Sequence, residues 1–301
     1  RSNSFFRSLA LGLQHVVFVM QGLFLGLHIK VQTMGCANFI FDIAFDLLIV
    51  VGDFVQQGTM LGAHVREHAL AATEDPHQQT HWLRAGGTWF VGVNALENDG
   101  EGRVENGPAI GGQLFEFIDE TYGWHALDKG QISITYPGYP KQDKDESDAA
   151  HRFRKNRDAA HLDGVKPELS NGRRCVDEAH GYVIGIPLNF TSEDASPLVV
   201  WEGSHHVMRR AMLTAFDGVA PKDMRRHDIT EAYVNARKKV FESCPRRVVH
   251  ATPGEAYLMH RFTLHGVAPW GAKAVAPPEG RMVAYFRPDL PGGVKDWLSL
   301  P

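Results

Sequence analysis

The chain has 301 residues, 44% of them hydrophobic, with 31 basic against 35 acidic side chains and a formal net charge of −4. That length and apolar content support a sizeable buried core in one large domain or two small ones, and the near balance of charge gives no electrostatic case for nucleic acid or a membrane surface as partner. Three widely separated cysteines, Cys36, Cys175 and Cys244, without any Cys-x-x-Cys spacing, argue against a disulfide framework or a zinc ribbon and fit a reducing cytoplasm.

Residues 1 to 75 differ in texture from the rest. The uncharged run Ser8 to Ile29 is long enough to cross a bilayer, but Gln14, His15, Gln21, His28 and several glycines interrupt it, which argues against a spanning helix. Phe39 to Val51 carries Asp42 and Asp46 on what would be one face of an amphipathic helix. The whole stretch reads as an N-terminal extension that need not be native to a domain over 76–301. Within it, His64-Val65-Arg66-Glu67-His68 sets two imidazoles at i and i+4 of a helix, as in inverted-motif zinc peptidases. Chance produces that pattern in roughly one of twenty chains this rich in His, so a polar helix face is the simpler reading.

From His81 the texture is that of an enzyme domain. Gly86 to Val93 is a short β-prone run bounded by glycines, and Asn98-Asp99-Gly100-Glu101-Gly102 is a turn cluster. Ile110 to Ile118 reads as the start of a helix. Ile132-Ser133-Ile134-Thr135-Tyr136 alternates as a strand, stopped by Pro137-Gly138-Tyr139-Pro140. Lys141 to Arg157, dense in both charges and without apolar periodicity, reads as a solvated loop placed where a lid would lie.

The chemistry starts at Ala160-His161-Leu162-Asp163-Gly164. Residues i and i+2 of a strand share a face, so His161 and Asp163 can offer a nitrogen and an oxygen to one metal while Leu162 points the other way. Alone the triplet is weak, since roughly one is expected by chance here. Tyr182 to Phe190 and Pro197 to Trp201 read as strands, and Gly203-Ser204-His205-His206 as a turn in which at most one His faces inward. Asp228-Ile229-Thr230-Glu231 opens a helix to about Phe241, within a helical insertion over about 217–247. Pro253-Gly254-Glu255 turns the chain toward His265-Gly266, and Pro277, Pro278 and Gly280 turn it into a last strand. On that strand Arg281, Val283, Tyr285 and Arg287 share one face. Two His and one carboxylate on one side of a metal, with the other positions open, make the arrangement of non-heme Fe(II) oxygenases.

His161-x-Asp163, His265-Gly266 and Arg281, with Val200-Trp201-Glu202-Gly203-Ser204-His205, resemble the phytanoyl-CoA dioxygenase-like branch of the Fe(II)/2-oxoglutarate oxygenases, over about residues 80–290. The resemblance implies a mainly β fold with flanking helices, a double-stranded β-helix or cupin-like jelly roll with its core over about 131–290 and the metal at the mouth between two sheets. It implies His161, Asp163 and His265 as catalytic Fe(II) ligands, and Arg281 as the partner of the distal carboxylate of the cosubstrate 2-oxoglutarate. Arg287, about 20 Å further along the same face, competes for that last role. The implied activity is hydroxylation of a small organic substrate with O2, giving succinate and CO2. Retention of Asp163, which related halogenases replace with a small residue, favours hydroxylation. Two alternatives stay open: a cupin-like metal protein using the same ligands without 2-oxoglutarate, and a zinc peptidase through His64, Glu67 and His68. Trp201, Trp270, Tyr136 and Tyr139 are candidates for an apolar substrate wall, although such aromatics more often belong to a core.

Overall fold

The computed structural model describes residues 57–300 together with short strands at 16–18, 27–33, 38–43 and 52–53. The first three of these, β1 (Val16–Phe18), β2 (Leu27–Thr33) and β3 (Asn38–Ile43), form a separate antiparallel sheet. The helix expected over Phe39 to Val51 is therefore corrected in its first half, where the backbone pairs with β2. The run Phe39-Ile40-Phe41 is made of strand formers, which outweigh the spacing of Asp42 and Asp46. Residues 44–51 and most of the run Ser8 to Ile29 lie outside the described residues. No described helix is long and apolar enough to cross a membrane.

The rest of the chain supplies β4 (Gly52–Asp53), β5 (Leu83–Arg84), β6 (Trp89–Phe90), β7 (Gln131–Thr135), β8 (Val165–Lys166), β9 (Cys175–Val176), β10 (Tyr182–Pro187), β11 (Leu198–Trp201), β12 (Arg246–Val249), β13 (Glu255–His260), β14 (His265–Val267) and β15 (Arg281–Phe286). A seven-stranded antiparallel sheet runs β4-β13-β10-β15-β7-β6-β5, and a three-stranded one runs β12-β11-β14.

The side-chain alternation of these strands decides how the layers stack. Val183, Tyr257, Met259, Val283 and Tyr285 of the larger sheet pack with Leu198 and Val200 of the smaller, so these faces look at each other. The opposite face of the larger sheet, Tyr182, Ile184, Leu258, Met282, Ala284 and Phe286, packs against Leu114 and Ile118 of the helix Gln113–Tyr122 and Leu61, Val65 and Ala69 of the helix Gln57–Glu74. Those last three recur every fourth residue, the stripe a helix needs to cover a sheet. Behind the smaller sheet, Val199 and Trp201 pack against Met208 and Met212 of the helix Ser204–Ala215 and Tyr233 and Val240 of the helix Thr230–Ser243.

Several local expectations change. Lys141 to Arg157 is not all loop: Asp148–Asn156 is a helix, with the Ser147 hydroxyl accepting from the Ala150 N–H at 3.2 Å. Its charges obscure an apolar period, yet Asp148 in the first turn and Arg154 and Lys155 in the last suit the helix dipole. Gly203-Ser204-His205-His206 is the start of a helix rather than a turn, so the helical region begins before 217. The helix expected from Ile110 begins at Gln113. The turn at Gly254 leads into β13, and only after Arg261 to Leu264 does the chain cross to the smaller sheet and deliver His265.

Candidate metal centre

His161 and His265 meet because their backbones pair. His161 N–H donates to the His265 carbonyl at 2.8 Å and His265 N–H to the His161 carbonyl at 3.1 Å, the exchange that puts two residues directly opposite on one face. Their rings lie 4.6 Å apart between centroids. His265 also stands opposite Val200, whose side chain is in the interior between the sheets, so the face is the inner one. The segment carrying His161 is a single bridge and not a regular strand, but its alternation persists: Ala160 and Leu162 are buried toward the helices.

Gly266 is what lets the His161 segment approach. A Cβ at that position would lie 2.0 Å from the carbonyl oxygen of Asp158, which accepts from the Val267 N–H at 2.8 Å. The Asp158 carboxylate in turn takes both Nε and Nη2 of Arg246 on β12, at 2.7 and 2.8 Å, a fork that ties the incoming chain to the far edge of the small sheet.

Asp163 closes the group. Its Oδ1 is 3.2 Å from His161 Nε2 and 3.5 Å from His265 Nε2. One ligand atom from each of the three residues lies within 4.8 Å of the others, a spacing that could hold one metal ion. His161 Nδ1 donates to the Ala159 carbonyl and His265 Nδ1 to the Thr263 carbonyl, each at 2.9 Å, which turns both Nε2 atoms toward Asp163. Asp163 and His265 are largely enclosed, at 10% and 9% side-chain exposure, whereas His161 is 45% exposed and marks the open side.

Asp163 Oδ2 is taken by Arg287 Nε at 2.6 Å. Burial by itself raises the Asp163 carboxyl, but the Arg287 charge, helped by His265 and by hydrogen bonds from the two rings, holds it well below the usual carboxylate range. Arg287 also lies 5.5 Å from the Tyr285 ring centroid. Nearby, His180 sits between Glu178 (3.2 Å) and Asp289 (3.4 Å). Burial pulls the His180 imidazole down, yet Asp289 and Glu178 prevail and raise it, while the hydrogen bond from His180, with Lys166 beyond, brings Glu178 to about 2.

Arg281 opens β15 at the other end of the same face and is 7% exposed. Its Nη1 is buried without a hydrogen-bond partner. Between the two arginines, Tyr257, Gly185 and Tyr285 stand side by side across three strands. A Cβ on Gly185 would fall 2.0 Å from the Tyr257 ring, so the glycine lets that ring lie across β10 and its hydroxyl donate to Tyr285 at 3.0 Å. Burial, with Tyr285 adding and Arg281 opposing, keeps the Tyr257 hydroxyl protonated far above its ordinary range.

The other expected residues scatter. Trp201 faces the helices, not the interior, and Tyr136 packs on the outer cluster of the large sheet. Tyr139 and Trp270 do meet, with Trp89 and Val267, and Val267 shares the face of His265. In the helix Gln57–Glu74, His64 Nε2 donates to the Val104 carbonyl at 2.9 Å. Among the described residues, no other group of three or more His, Cys, Asp and Glu is disposed to hold a metal ion, and His64, Glu67 and His68 form no such group. His205 is buried in the helix Ser204–Ala215, and burial, with His206 and Arg209, brings its imidazole down to about 3. Sequence reasoning missed Tyr257, for which Gly185 inside an apolar strand was the available signal, and the contact of Arg287 with Asp163, for which there was none.

No protein-family model matches the chain, and no curated protein matches it. Solved structures do. They include the non-heme alpha ketoglutarate dependent carbocyclase SnoK from nogalamycin biosynthesis, 13% identical with a TM-score of 0.42 over 83% of this chain and 85% of that one. The epimerase SnoN from nogalamycin biosynthesis, also non-heme and alpha ketoglutarate dependent, is 10% identical with a TM-score of 0.39 over 84% of each chain. EvdMO1 is 12% identical with a TM-score of 0.44, and the match spans 82% of this chain but 48% of that one.

Proposed function

We propose that this chain is an Fe(II)- and 2-oxoglutarate-dependent dioxygenase that hydroxylates a small organic substrate, with succinate and CO2 as coproducts. The observation that carries the reading is the convergence of His161 Nε2, His265 Nε2 and Asp163 Oδ1, each fixed by a second contact before any metal arrives. Two imidazoles and one carboxylate on one side of an ion, with an open side, form the donor set of non-heme Fe(II) oxygenases. The facing sheets fit a double-stranded β-helix, a jelly roll with the ion at its mouth. Bound iron would supply the activation of O2 coupled to oxidative decarboxylation of the keto acid.

The chain's own residues then have separable tasks. Arg281, buried and with an unpartnered Nη1, is placed to receive the distal carboxylate of 2-oxoglutarate as a charge-assisted pair. The Tyr257 and Tyr285 hydroxyls lie beside that route. A cupin-like protein using the same three ligands without a keto acid would leave the Arg281 guanidinium buried with no anion, and is disfavoured on that ground. Trp89, Tyr139 and Trp270 supply a wall against which an apolar part of the substrate can rest, next to Val267. The order of His161-x-Asp163, His265-Gly266 and Arg281 supports a place in the phytanoyl-CoA dioxygenase-like branch, and the free Cys175 and Cys244 fit a cytoplasmic protein.

The test is metal stoichiometry with product. The wild-type chain is expected to bind one Fe(II), and to release succinate from 2-oxoglutarate in the presence of O2. His161→Ala and His265→Ala should lose both. Iron retained unchanged by the two variants would refute the assignment.

A further inference from the structure

We infer that Arg287 is a positioning residue that keeps Asp163 a one-oxygen ligand, so that a bound metal retains the open positions which a chelating keto acid and O2 together require. The inference rests on the reading of His161, Asp163 and His265 as a metal site. It assigns a task to a residue that otherwise would count as an ion-pair partner alone.

The two oxygens of Asp163 are already divided between roles. Oδ1 faces both histidine Nε2 atoms, at 3.2 and 3.5 Å, while Oδ2 faces Arg287 Nε at 2.6 Å. A carboxylate with both oxygens free can bind a hard cation through one or both. On an octahedral ion, two imidazoles and a two-oxygen carboxylate would leave about two positions, which the keto acid alone would fill; a one-oxygen carboxylate leaves about three. The guanidinium is suited to hold the second oxygen, because it remains charged at any working pH and its N–H direction is fixed.

Arg287 is itself anchored. It follows β15 directly, its carbonyl accepts from the Asp128 N–H at 2.8 Å, and its guanidinium lies 5.5 Å from the Tyr285 ring centroid. At 17% side-chain exposure it is shielded enough for the pair with Asp163 to persist, and it balances that enclosed carboxylate when no metal is bound.

Mn(II) serves as the probe, because the relaxation of water protons counts the waters on the ion without turnover. Wild-type chain loaded with Mn(II) is expected to show about three inner waters, and Arg287→Gln to bind Mn(II) with the same stoichiometry but relaxivity per ion lower by roughly a third, as Asp163 takes a second position. Arg287→Lys, which keeps a cation near Oδ2, should recover most of the difference. A purely structural role would lower the melting temperature and leave relaxivity per bound ion unchanged, and that result would overturn the proposal. Should Arg287→Gln fail to fold, the wild type still decides: a count near two waters overturns the inference while leaving the metal site intact. Absence of Mn(II) binding by the wild type defeats both.

Discussion

The two ends of the inner face of β15 carry the same residue type in opposite circumstances. At one end Arg287 is engaged with Asp163, a pair completed within the chain. At the other, Arg281 is buried with Nη1 unsatisfied, beside tyrosine hydroxyls rather than a carboxylate. An arginine with its anion built in belongs to the scaffold of a site; on the proposed reading, the one buried without an anion receives the distal carboxylate of 2-oxoglutarate. Desolvating an unpaired cation costs free energy, so the fold sacrifices stability at Arg281 and recovers some at Arg287.

The largest effect should come from cutting the shared carboxylate. Asp163→Ala removes a proposed ligand and strands Arg287, and the affinity for Fe(II) or Mn(II), measured by calorimetry, is expected to fall by at least about 100-fold. Next is a contrast of signs. Without metal, Arg287→Met should lower stability by about 2 kcal/mol, whereas Arg281→Met should raise it by about 1 kcal/mol, because it removes a buried charge that has no anion. Urea midpoints moving in the same direction for the two variants would break the comparison. Arg281→Met should nevertheless cost at least about tenfold in 2-oxoglutarate affinity, through loss of a charge-assisted pair.

Gly185→Ala sharpens the comparison from the middle of the face. Its Cβ would collide with the Tyr257 ring, so overpacking of about 1–3 kcal/mol is expected, with weaker 2-oxoglutarate binding as the hydroxyls shift from Arg281. The smallest effect concerns the flank of Arg287. Glu178 is depressed to about 2, so its contribution to stability is present above its unfolded pKa near 4.5 and is lost as pH falls toward 2. His180 is raised above 6.5, so its contribution is full below that value and is lost as pH rises through its folded pKa. The network is therefore strongest between about pH 4.5 and 6.5. His180→Gln should flatten the pH dependence of denaturation at the alkaline side of that window, and an unchanged profile would show that the imidazole is not held as described.

What the sequence made readable was what depends on short period. The inner and outer faces of β10, β13 and β15 follow from alternation, as does the opposition of Leu162 to His161 and Asp163. What it hid depends on pairs distant in the chain: Arg287 with Asp163, Asp158 with Arg246, Tyr257 across Gly185 to Tyr285. Charge density also misled. In Lys141 to Arg157 the charged residues that looked like solvated loop include Glu146, just before a helix, and Arg154 in its last turn, joined at 2.8 Å. Trp201 shows the converse, since aromatic character alone said nothing of which sheet face it would take.

On the proposed reading, one face of β15 brings a metal and a keto acid together, the metal at the Asp163 end and the distal carboxylate at Arg281. Anaerobic addition of Fe(II) and then 2-oxoglutarate to the wild-type chain, followed by visible absorption, tests it most directly. A weak charge-transfer band that needs both additions, vanishes in Asp163→Ala and requires more 2-oxoglutarate in Arg281→Met is the predicted result. A chain that binds Fe(II) but develops no band at saturating 2-oxoglutarate would contradict it.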